Sequence, residues 1–290
     1  MSRAISRPGL AMVAVAASAW GTWSLFLRPT GLPGTVSGPV VLLMMGLWAL
    51  PLALREPATS WDRRTVGLLA LNTVCDAVNV VTFFAAIEHT SVAIAVLTHY
   101  LAPVLIALAA PRVDGTAVRG APAAAVIATA GLALVLEPWR AGGAALGLGA
   151  ALGATSAVAY AGNVFVVRRL AARIGASRAI AYHSLLAAIV VAPLGAGHLD
   201  AIDAGDLAYL GAGSLLLGAL AGIGFVAGLS RIGSARAAVL TFLEPLVAVI
   251  VGWTAFGEGL GPIAALGGAL ILGAGLWVVR APARATAAPG

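Results

Sequence analysis

Residues 225–249 read "FVAGLSRIGSARAAVLTFLEPLVAV", and residues 83–107 read "FFAAIEHTSVAIAVLTHYLAPVLIA". The two blocks align without gaps at an offset of 142 positions, with six identical residues and many apolar residues opposite apolar ones. Each block carries a proline, Pro103 or Pro245, inside an apolar run that is long enough to form a helix. Self-similarity at a constant offset indicates that the fold is built from two copies of one unit.

The composition is that of an integral membrane protein. Of the 290 residues, 61% are hydrophobic and only 10% are charged, whereas soluble domains carry about 25% charged residues. The net charge of +6 does not indicate a nucleic-acid partner, because the 17 basic residues, all arginine, are scattered between apolar blocks. The single cysteine, Cys75, excludes a disulfide within the chain and argues against a cysteine-based metal site. We therefore expect a lipid bilayer as a partner, and neither a metal nor a cofactor.

Ten apolar segments are long enough to cross a membrane, for which a helix needs about 20 residues. The first one follows Arg3 and Arg7 and so resembles a signal peptide, but its length favours an uncleaved first helix. The predicted fold class is an all-α membrane protein with ten transmembrane helices. The predicted spans are 9–27, 37–54, 66–86, 91–110, 119–136, 144–167, 179–196, 207–229, 235–256 and 260–279.

The arginines predict the orientation of these spans. With a cytoplasmic N-terminus, 15 arginines lie on the cytoplasmic side and only Arg28 and Arg140 lie on the opposite side. Such a bias follows the positive-inside rule, and a missed helix would have scrambled it. We therefore predict a multi-pass protein of the cell inner membrane with both termini in the cytoplasm.

The offset divides the chain into two five-helix repeats, residues 1–141 and 142–290. Because five is odd, the second repeat enters the membrane in the inverted orientation. The connections agree, since the joint after span 3 lacks arginine while its counterpart after span 8 holds Arg231 and Arg236. Inverted repeats are typical of secondary transporters, whose substrate site lies at the repeat interface near the membrane midplane.

Polar residues in span 3 share one helical face. In "LNTVCDAVNVVTFF", Asn72, Asp76, Asn79 and Phe83 recur at helical spacing. An aspartate within a span costs about 2.5–3.5 kcal/mol on insertion scales and is a functional candidate by default. Asp76 is therefore our proton-coupling candidate, and the alternative is a structural hydrogen bond to a neighbouring helix. We also predict substrate contacts for Asp76, Asn79 and Phe83.

Span 4 adds a histidine that has no counterpart in the other repeat. His99 could change charge near neutral pH or make an interhelical hydrogen bond, and Tyr100 could stack on a ligand or fill the core. Thr241 stands at the position in span 9 that corresponds to His99. Because the two repeats are otherwise similar, the difference between His99 and Thr241 marks these positions as candidates for substrate recognition.

Two tryptophans in span 1 correspond to a tyrosine and an asparagine in span 6. Trp20 pairs with Tyr160, and Trp23 pairs with Asn163, at an offset of 140 positions. These four are either membrane-interface residues or part of a substrate cavity. An aromatic cavity would favour flat or cationic ligands through stacking and cation–π contacts.

Glu244, directly before Pro245, completes the set of substrate-binding candidates. It could bind a substrate amine, carry a proton or satisfy backbone groups that the proline frees. Pro103 and Pro245 are predicted hinges of spans 4 and 9. His183 lies near the predicted start of span 7, which places it at the membrane interface. No hydrolase, metalloprotease or phosphate-binding-loop motif is present in the sequence.

The helix around Glu244 resembles a known family. Ser234 to Ile250, followed by "FGEGL" at 256–260, is similar to the drug/metabolite transporter superfamily in its ten-helix EamA-type form, and "AVAYAGNVFVVRRLA" at 157–171 resembles the start of that family's second repeat. The first repeat departs from the pattern, because Ala102 stands where the second has Glu244. The stretch "HYLAP" is similar to the aromatic amino acid exporter branch. The resemblance implies an alternating-access transporter with a cavity lined by spans 1, 3, 4, 6, 8 and 9.

The leading hypothesis is an exporter of small metabolites, with amino acids favoured, aromatic ones first, and protons as an open coupling partner. Alternatives are a multidrug or other metabolite exporter of the same fold, and a passive channel. An intramembrane enzyme using His99 and Asp76 would need a nucleophile or metal set that the sequence does not offer. The substrate, the coupling ion and the oligomeric state stay open.

Overall fold

In the part of the chain that it describes, a computed structural model contains ten helices that are long and apolar enough to cross a membrane. The structure describes residues 6–57, 59–141 and 146–284. The predicted all-helical class with ten spans is confirmed. A short antiparallel pair, β1 (Ala117–Val118) with β2 (Ala283–Arg284), joins the α4–α5 connection to the segment after α10. The helices are α1 (Arg7–Thr30), α2 (Gly34–Arg55), α3 (Arg63–His89), α4 (Val92–Val113), α5 (Ala121–Arg140), α6 (Gly147–Ile174), α7 (Ala176–Leu194), α8 (Ala204–Ile232), α9 (Ser234–Phe256) and α10 (Pro262–Arg280).

The largest error in the predicted bounds concerns α6. Nine spans lie within four residues of the observed helices, but α6 continues to Ile174 rather than ending at residue 167. Arginines in the predicted loop are helical instead, and the helix ends only before Gly175, whose φ of 87° is incompatible with its continuation. Residues 142–145, which include the predicted start of span 6 and border the predicted repeat boundary, lie outside the described part of the chain.

Helix packing joins the two halves of the chain. The most extensive contacts pair α3 with α6, α2 with α7 and α5 with α10, and further contacts pair α1 with α8 and α4 with α9. Each pair takes one helix from the first five and one from the last five. If each of the first five helices changes places with its counterpart among the last five (α1 with α6, α2 with α7 and so on), the same helix pairs are obtained. Two equivalent halves would require this. The division into inverted repeats stays a prediction.

Two helices are interrupted just before their central prolines. Proline lacks an amide donor and clashes with the carbonyl four residues earlier, which belongs to His99 in α4 and to Thr241 in α9. The breaks therefore follow from Pro103 and Pro245, while a hinge motion at these residues stays a prediction. The helical segments are Val92–His99 and Ala102–Val113 in α4, and Ser234–Leu240 and Leu243–Phe256 in α9.

A third interruption lies in α1 and brings it against the break in α9. The first segment of α1 ends at Trp20, and Gly21 follows. A Cβ atom on Gly21 would press on the carbonyl oxygen of Glu244 and lie 2.9 Å from the backbone nitrogen of Ala248. Only a glycine lets the two backbones approach this closely.

The face on which α1 begins and α10 ends, here called the arginine-rich face, is held by ion pairs. Arg173 of α6 donates to the hydroxyl of Thr65 at 2.7 Å and forms an ion pair with Asp62. Hydrogen bonds from the amide and hydroxyl of Thr65, together with Arg173, hold the pKa of Asp62 below its usual value. Arg168 lies 3.1 Å from Asp114, which follows α4. These contacts attach the last turns of α6 to the start of α3 and to the segment after α4.

The crossing of α5 and α10 provides a first prediction. A Cβ on Gly131 would lie 2.6 Å from the carbonyl oxygen of Gly267, and the reverse contact is closer still. The backbone of α5 cannot move away from a new side chain without disturbing its own hydrogen bonds. Gly267→Leu should therefore destabilise the protein by about 1–3 kcal/mol and lower its unfolding temperature in detergent. The control is Gly273→Leu in the same helix, where a Cβ meets nothing within 4 Å. Equal unfolding temperatures of the two variants would contradict this packing.

Candidate functional site

A cavity of about 270 Å³ lies between the two halves, near the middle of the helices. Its wall includes residues from α1, α2, α3, α4, α6, α7, α8 and α9, so α2 and α7 join the six spans expected from the family resemblance. Ten of the eleven predicted substrate-binding residues line it. They are Trp20, Trp23, Asp76, Asn79, His99, Tyr100, Tyr160, Asn163, Thr241 and Glu244.

Phe83 is the predicted residue that does not line the cavity. Its ring centroid lies 4.9 Å from that of His99, so it supports the imidazole from outside the wall. Phe83 shares a helical face with Asp76 and Asn79, but it lies one turn closer to the end of α3, beyond the depth of the cavity. Asn72, on the same face, is fully buried, and neither polar atom of its amide has a hydrogen-bond partner among the described residues.

His183 was wrongly predicted to be interfacial. It is 5% exposed and belongs to the cavity wall. The error arose because α7 begins at Ala176, three residues before the predicted start, which moves His183 deeper into the membrane. Its Nδ1 lies 2.7 Å from the carbonyl oxygen of Ala179, and its Nε2 lies 3.6 Å from Oδ2 of Asp76.

Side chains from two other helices contact the carboxyl group of Asp76. The amide nitrogen of Asn163 in α6 donates to Oδ1 of Asp76 at 3.1 Å, while His183 in α7 faces Oδ2. The carboxyl side chain is only 15% exposed. An acidic group this far from water needs such partners. Asp76 therefore links α3 to the two helices of the other half against which α3 packs.

His99 belongs to a hydrogen-bonded chain that was not predicted from the sequence. Its Nδ1 lies 2.8 Å from the hydroxyl of Ser156, and that hydroxyl donates to Oδ1 of Asn79 at 2.7 Å. Ser156 is completely buried in α6. A signal was present, because Ser156, Tyr160 and Asn163 recur at helical spacing on one face of α6. The chain connects α4, α6 and α3.

Aromatic rings enclose the histidine and form part of the wall. The ring centroid of His99 lies 5.4 Å from that of Tyr160 and 5.6 Å from that of Tyr100. Trp20 packs on Phe225 at 4.8 Å, and its indole nitrogen donates to the carbonyl oxygen of Leu217 at 2.8 Å. That carbonyl lies in a π-helical segment of α8, Ser214–Leu220, a geometry that is frequent at functional sites. Trp20 is thus a fixed wall residue rather than an interface anchor.

The wall contains as many carboxyl groups as imidazoles. Two carboxyl groups, Asp76 and Glu244, and two imidazoles, His99 and His183, line the cavity. Among the described residues of the wall there is no arginine. Within the same part of the chain, no group of three or more His, Cys, Asp or Glu residues is placed to hold a metal ion. The wall can therefore offer hydrogen bonds, aromatic faces and one or two negative charges.

Comparison with known proteins places the chain among transporters. Residues 147–280 match the EamA-like transporter family. Over 274 residues, the chain is 32% identical to an uncharacterized transporter of Archaeoglobus fulgidus, with 92% of this chain and 94% of the relative covered. This chain belongs to the EamA-like transporter family. A solved crystal structure superposes on this transporter with a TM-score of 0.82 at 19% identity, covering 94% of this chain and 98% of the other.

Membership confirms the predicted superfamily and a multi-pass membrane protein. It also identifies a transporter and not an enzyme, which removes the intramembrane enzyme that His99 and Asp76 brought into consideration. The likeness to the crystal structure extends over nearly the whole chain and demonstrates a shared fold.

Proposed function

We propose that this transporter exports small metabolites that carry a protonated amine and a planar ring, by alternating access across the cell inner membrane. Amino acids are the favoured substrates, and aromatic amino acids come first among them. The observation that carries the proposal is the cavity between the two halves, which combines two carboxyl groups with aromatic walls. Such a site complements a cation and a flat ring at the same time.

The size of the cavity favours a small metabolite over a bulky drug. Pockets for drug-sized ligands occupy about 300–1,000 Å³, and this cavity of about 270 Å³ lies just below that range. A single amino acid or amine fits this volume better than a large multi-ring compound. The multidrug alternative therefore has less support than the metabolite exporter.

Glu244 is the better candidate for the substrate amine. Asp76 already has a cationic or potentially cationic neighbour in His183 besides Asn163, whereas Glu244 has the hydroxyl of Tyr100 beside it but forms no ion pair with any described residue. It also lies at the break of α9, where a substrate could contact both helical segments. A protonated amine would give this carboxylate the partner that a charge needs in a low-dielectric setting.

We infer further that Asp76 and His183 together hold one transferable proton. The carbonyl oxygen of Ala179 can only accept, so Nδ1 of His183 carries a proton. Nε2 of His183 then lies 3.6 Å from Oδ2 of Asp76 with a lone pair on each atom. These lone pairs would repel each other unless the two residues share one more proton. Loss of that proton would weaken the contact between α3 and α7. The other titratable groups nearby are Cys75 beside Asp76, Tyr160 on α6, Glu244 on α9 and His99 on α4.

A second candidate is the export of aromatic amines that lack a carboxylate. The absence of arginine from the described part of the wall favours it, because a zwitterion would bring a second charge without a matching cation. Tryptophan and tryptamine differ in that carboxylate alone, so the ratio of their transport rates separates the two candidates.

The direct test is transport by the purified protein in proteoliposomes. Saturable flux and counterflow of tryptophan, tyrosine or phenylalanine would support the proposal, and preferential flux of tryptamine would support the second candidate. Flux without saturation or counterflow would indicate a channel. No flux of any aromatic amine or amino acid would overturn the proposed substrate class.

Replacing Glu244 by glutamine provides a second prediction. The change keeps the size of the side chain but removes the charge, so KM for amine-bearing substrates should rise about 10- to 100-fold, as expected for a lost charged hydrogen bond. The control is Glu258→Gln, which alters an exposed glutamate that pairs with Arg28 outside the cavity. If the two variants have the same KM, Glu244 does not bind the amine.

A further inference from the structure

The hydrogen-bonded chain at His99 determines which ring nitrogen carries the proton. A serine hydroxyl has one proton to donate, and that of Ser156 is donated to Oδ1 of Asn79 at 2.7 Å. Towards His99 the same oxygen can therefore only accept. The nitrogen that lies 2.8 Å from it, Nδ1 of His99, must then be the donor.

The other ring nitrogen of His99 is left as an acceptor. No carboxylate of the described residues lies within ion-pair distance of this imidazole, so a charged ring would be a buried cation without a counter-ion. In the neutral ring with a proton on Nδ1, Nε2 presents a lone pair. No group of the described chain donates to Nε2, and His99 lines the cavity.

This acceptor is held in a fixed position. The rings of Phe83, Tyr100 and Tyr160 surround the imidazole with centroid separations of 4.9, 5.6 and 5.4 Å. The hydrogen bond to Ser156 fixes the rotation of the ring about its axis. A substrate donor would therefore meet a pre-organised partner, and little entropy would be lost on binding.

The corresponding position in the other half offers no such group. Thr241 occupies it, and its hydroxyl donates to the carbonyl oxygen of Ala238 at 2.7 Å. The acceptor therefore lies on one side of the cavity only. It would orient an asymmetric substrate within a frame of two similar halves.

We propose that Nε2 of His99 accepts a hydrogen bond from an N–H or O–H group on the substrate's ring. Indoles and phenols are then transported in preference to the same molecules without that donor. The proposal rests on the proposed function, since it assigns an orientation to the aromatic substrate within that cavity. A ring without a donor would leave Nε2 unpaired in a buried site, which lowers affinity by about tenfold or more.

The test uses inhibitor pairs that differ in the ring donor alone. Uptake of labelled phenylalanine into proteoliposomes is competed with tryptophan or 1-methyltryptophan, and with tyrosine or O-methyltyrosine. The wild-type protein should be inhibited at about tenfold or more lower concentration by the member of each pair that carries the donor. Equal inhibition within both pairs, with phenylalanine flux present, would overturn the role of His99 and leave the proposed function standing. Absence of aromatic flux would instead overturn the proposed function itself.

Variants then separate hydrogen bonding from packing. His99→Phe keeps a ring in the aromatic cluster but removes the acceptor, so the preference within each pair should fall to about one. Asn79→Leu frees the hydroxyl of Ser156 to donate to Nδ1, which moves the ring proton to Nε2 and should also abolish the preference. The control is Ser184→Ala, a buried serine of α7 whose hydroxyl donates only to Ile180 within its own helix, at 2.6 Å. A preference that persists in His99→Phe would contradict the proposal.

Discussion

Replacing Asp76 by asparagine is expected to abolish transport driven by a pH gradient while leaving movement of substrate down its own gradient. An asparagine amide can donate to Nε2 of His183 and still contact Asn163, so it imitates the protonated carboxyl group. The variant should therefore fold, but it cannot exchange a proton. The N–H of the asparagine amide would take the place of the transferable proton that Asp76 and His183 share in our proposal, and an amide does not release it.

The measurement is substrate accumulation in proteoliposomes under an imposed pH difference. With one proton per substrate, a difference of one pH unit sustains about tenfold accumulation. The wild-type protein should approach that ratio, and Asp76→Asn should stay near one. Asp200→Asn changes an exposed aspartate outside the ten membrane-spanning helices and should behave like the wild type. If Asp76→Asn keeps its full response to the pH gradient, Asp76 is not the proton carrier.

A second large effect is expected from Asp114→Ala on the arginine-rich face. The carboxylate of Asp114 is 2% exposed. Its Oδ2 lies 3.1 Å from Nη1 of Arg168 and 2.5 Å from the hydroxyl of Ser234, and its Oδ1 accepts from the amide and hydroxyl of Thr116. One side chain thus joins the end of α4, the end of α6 and the start of α9.

Removing this carboxylate leaves Arg168 partly buried without its partner. Breaking one side of a buried pair costs about 3–5 kcal/mol, and the lower end applies because Arg168 is 24% exposed. Thermal unfolding in detergent should therefore show a large drop for Asp114→Ala. Glu258→Ala breaks the pair with Arg28, in which both side chains are half exposed, and should cost less than about 1 kcal/mol.

A double variant distinguishes the ion pair from a general packing defect. Asp114→Ala combined with Arg168→Met leaves no unpaired charge and should recover part of the lost stability. If Asp114→Ala unfolds at the same temperature as Glu258→Ala, the network at Asp114 does not hold the three helices together.

Much of this architecture was predictable because a bilayer imposes simple rules. An apolar run of sufficient length must become a helix, since backbone groups have no other partner in lipid. Pro103 and Pro245 predicted the positions of the breaks, because proline removes the same hydrogen bond in any helix. Asp76 was predicted to face the cavity or a partner helix, because a charged side chain in a span avoids lipid.

The errors share a different cause. Arg168 was assigned to a loop because the sequence does not show that it forms an ion pair with Asp114, which lies on another element. His183 was placed at the interface because a shift of three residues in a helix start changes its depth. Phe83 was placed in the cavity because helical periodicity gives the face of a residue but not its depth.

By itself the sequence determined the ten helices and the interruptions of α4 and α9, since these follow from backbone hydrogen bonding in lipid and from proline geometry, and it identified as candidates ten residues that line the cavity. Only the tertiary structure decided the partners: His183 for Asp76, and Ser156 for His99. Partners lie on different helices, and their meeting depends on the depth and rotation of each helix. Close backbone approaches such as that of Gly21 to Glu244 set that depth and rotation, and they join residues far apart in the chain.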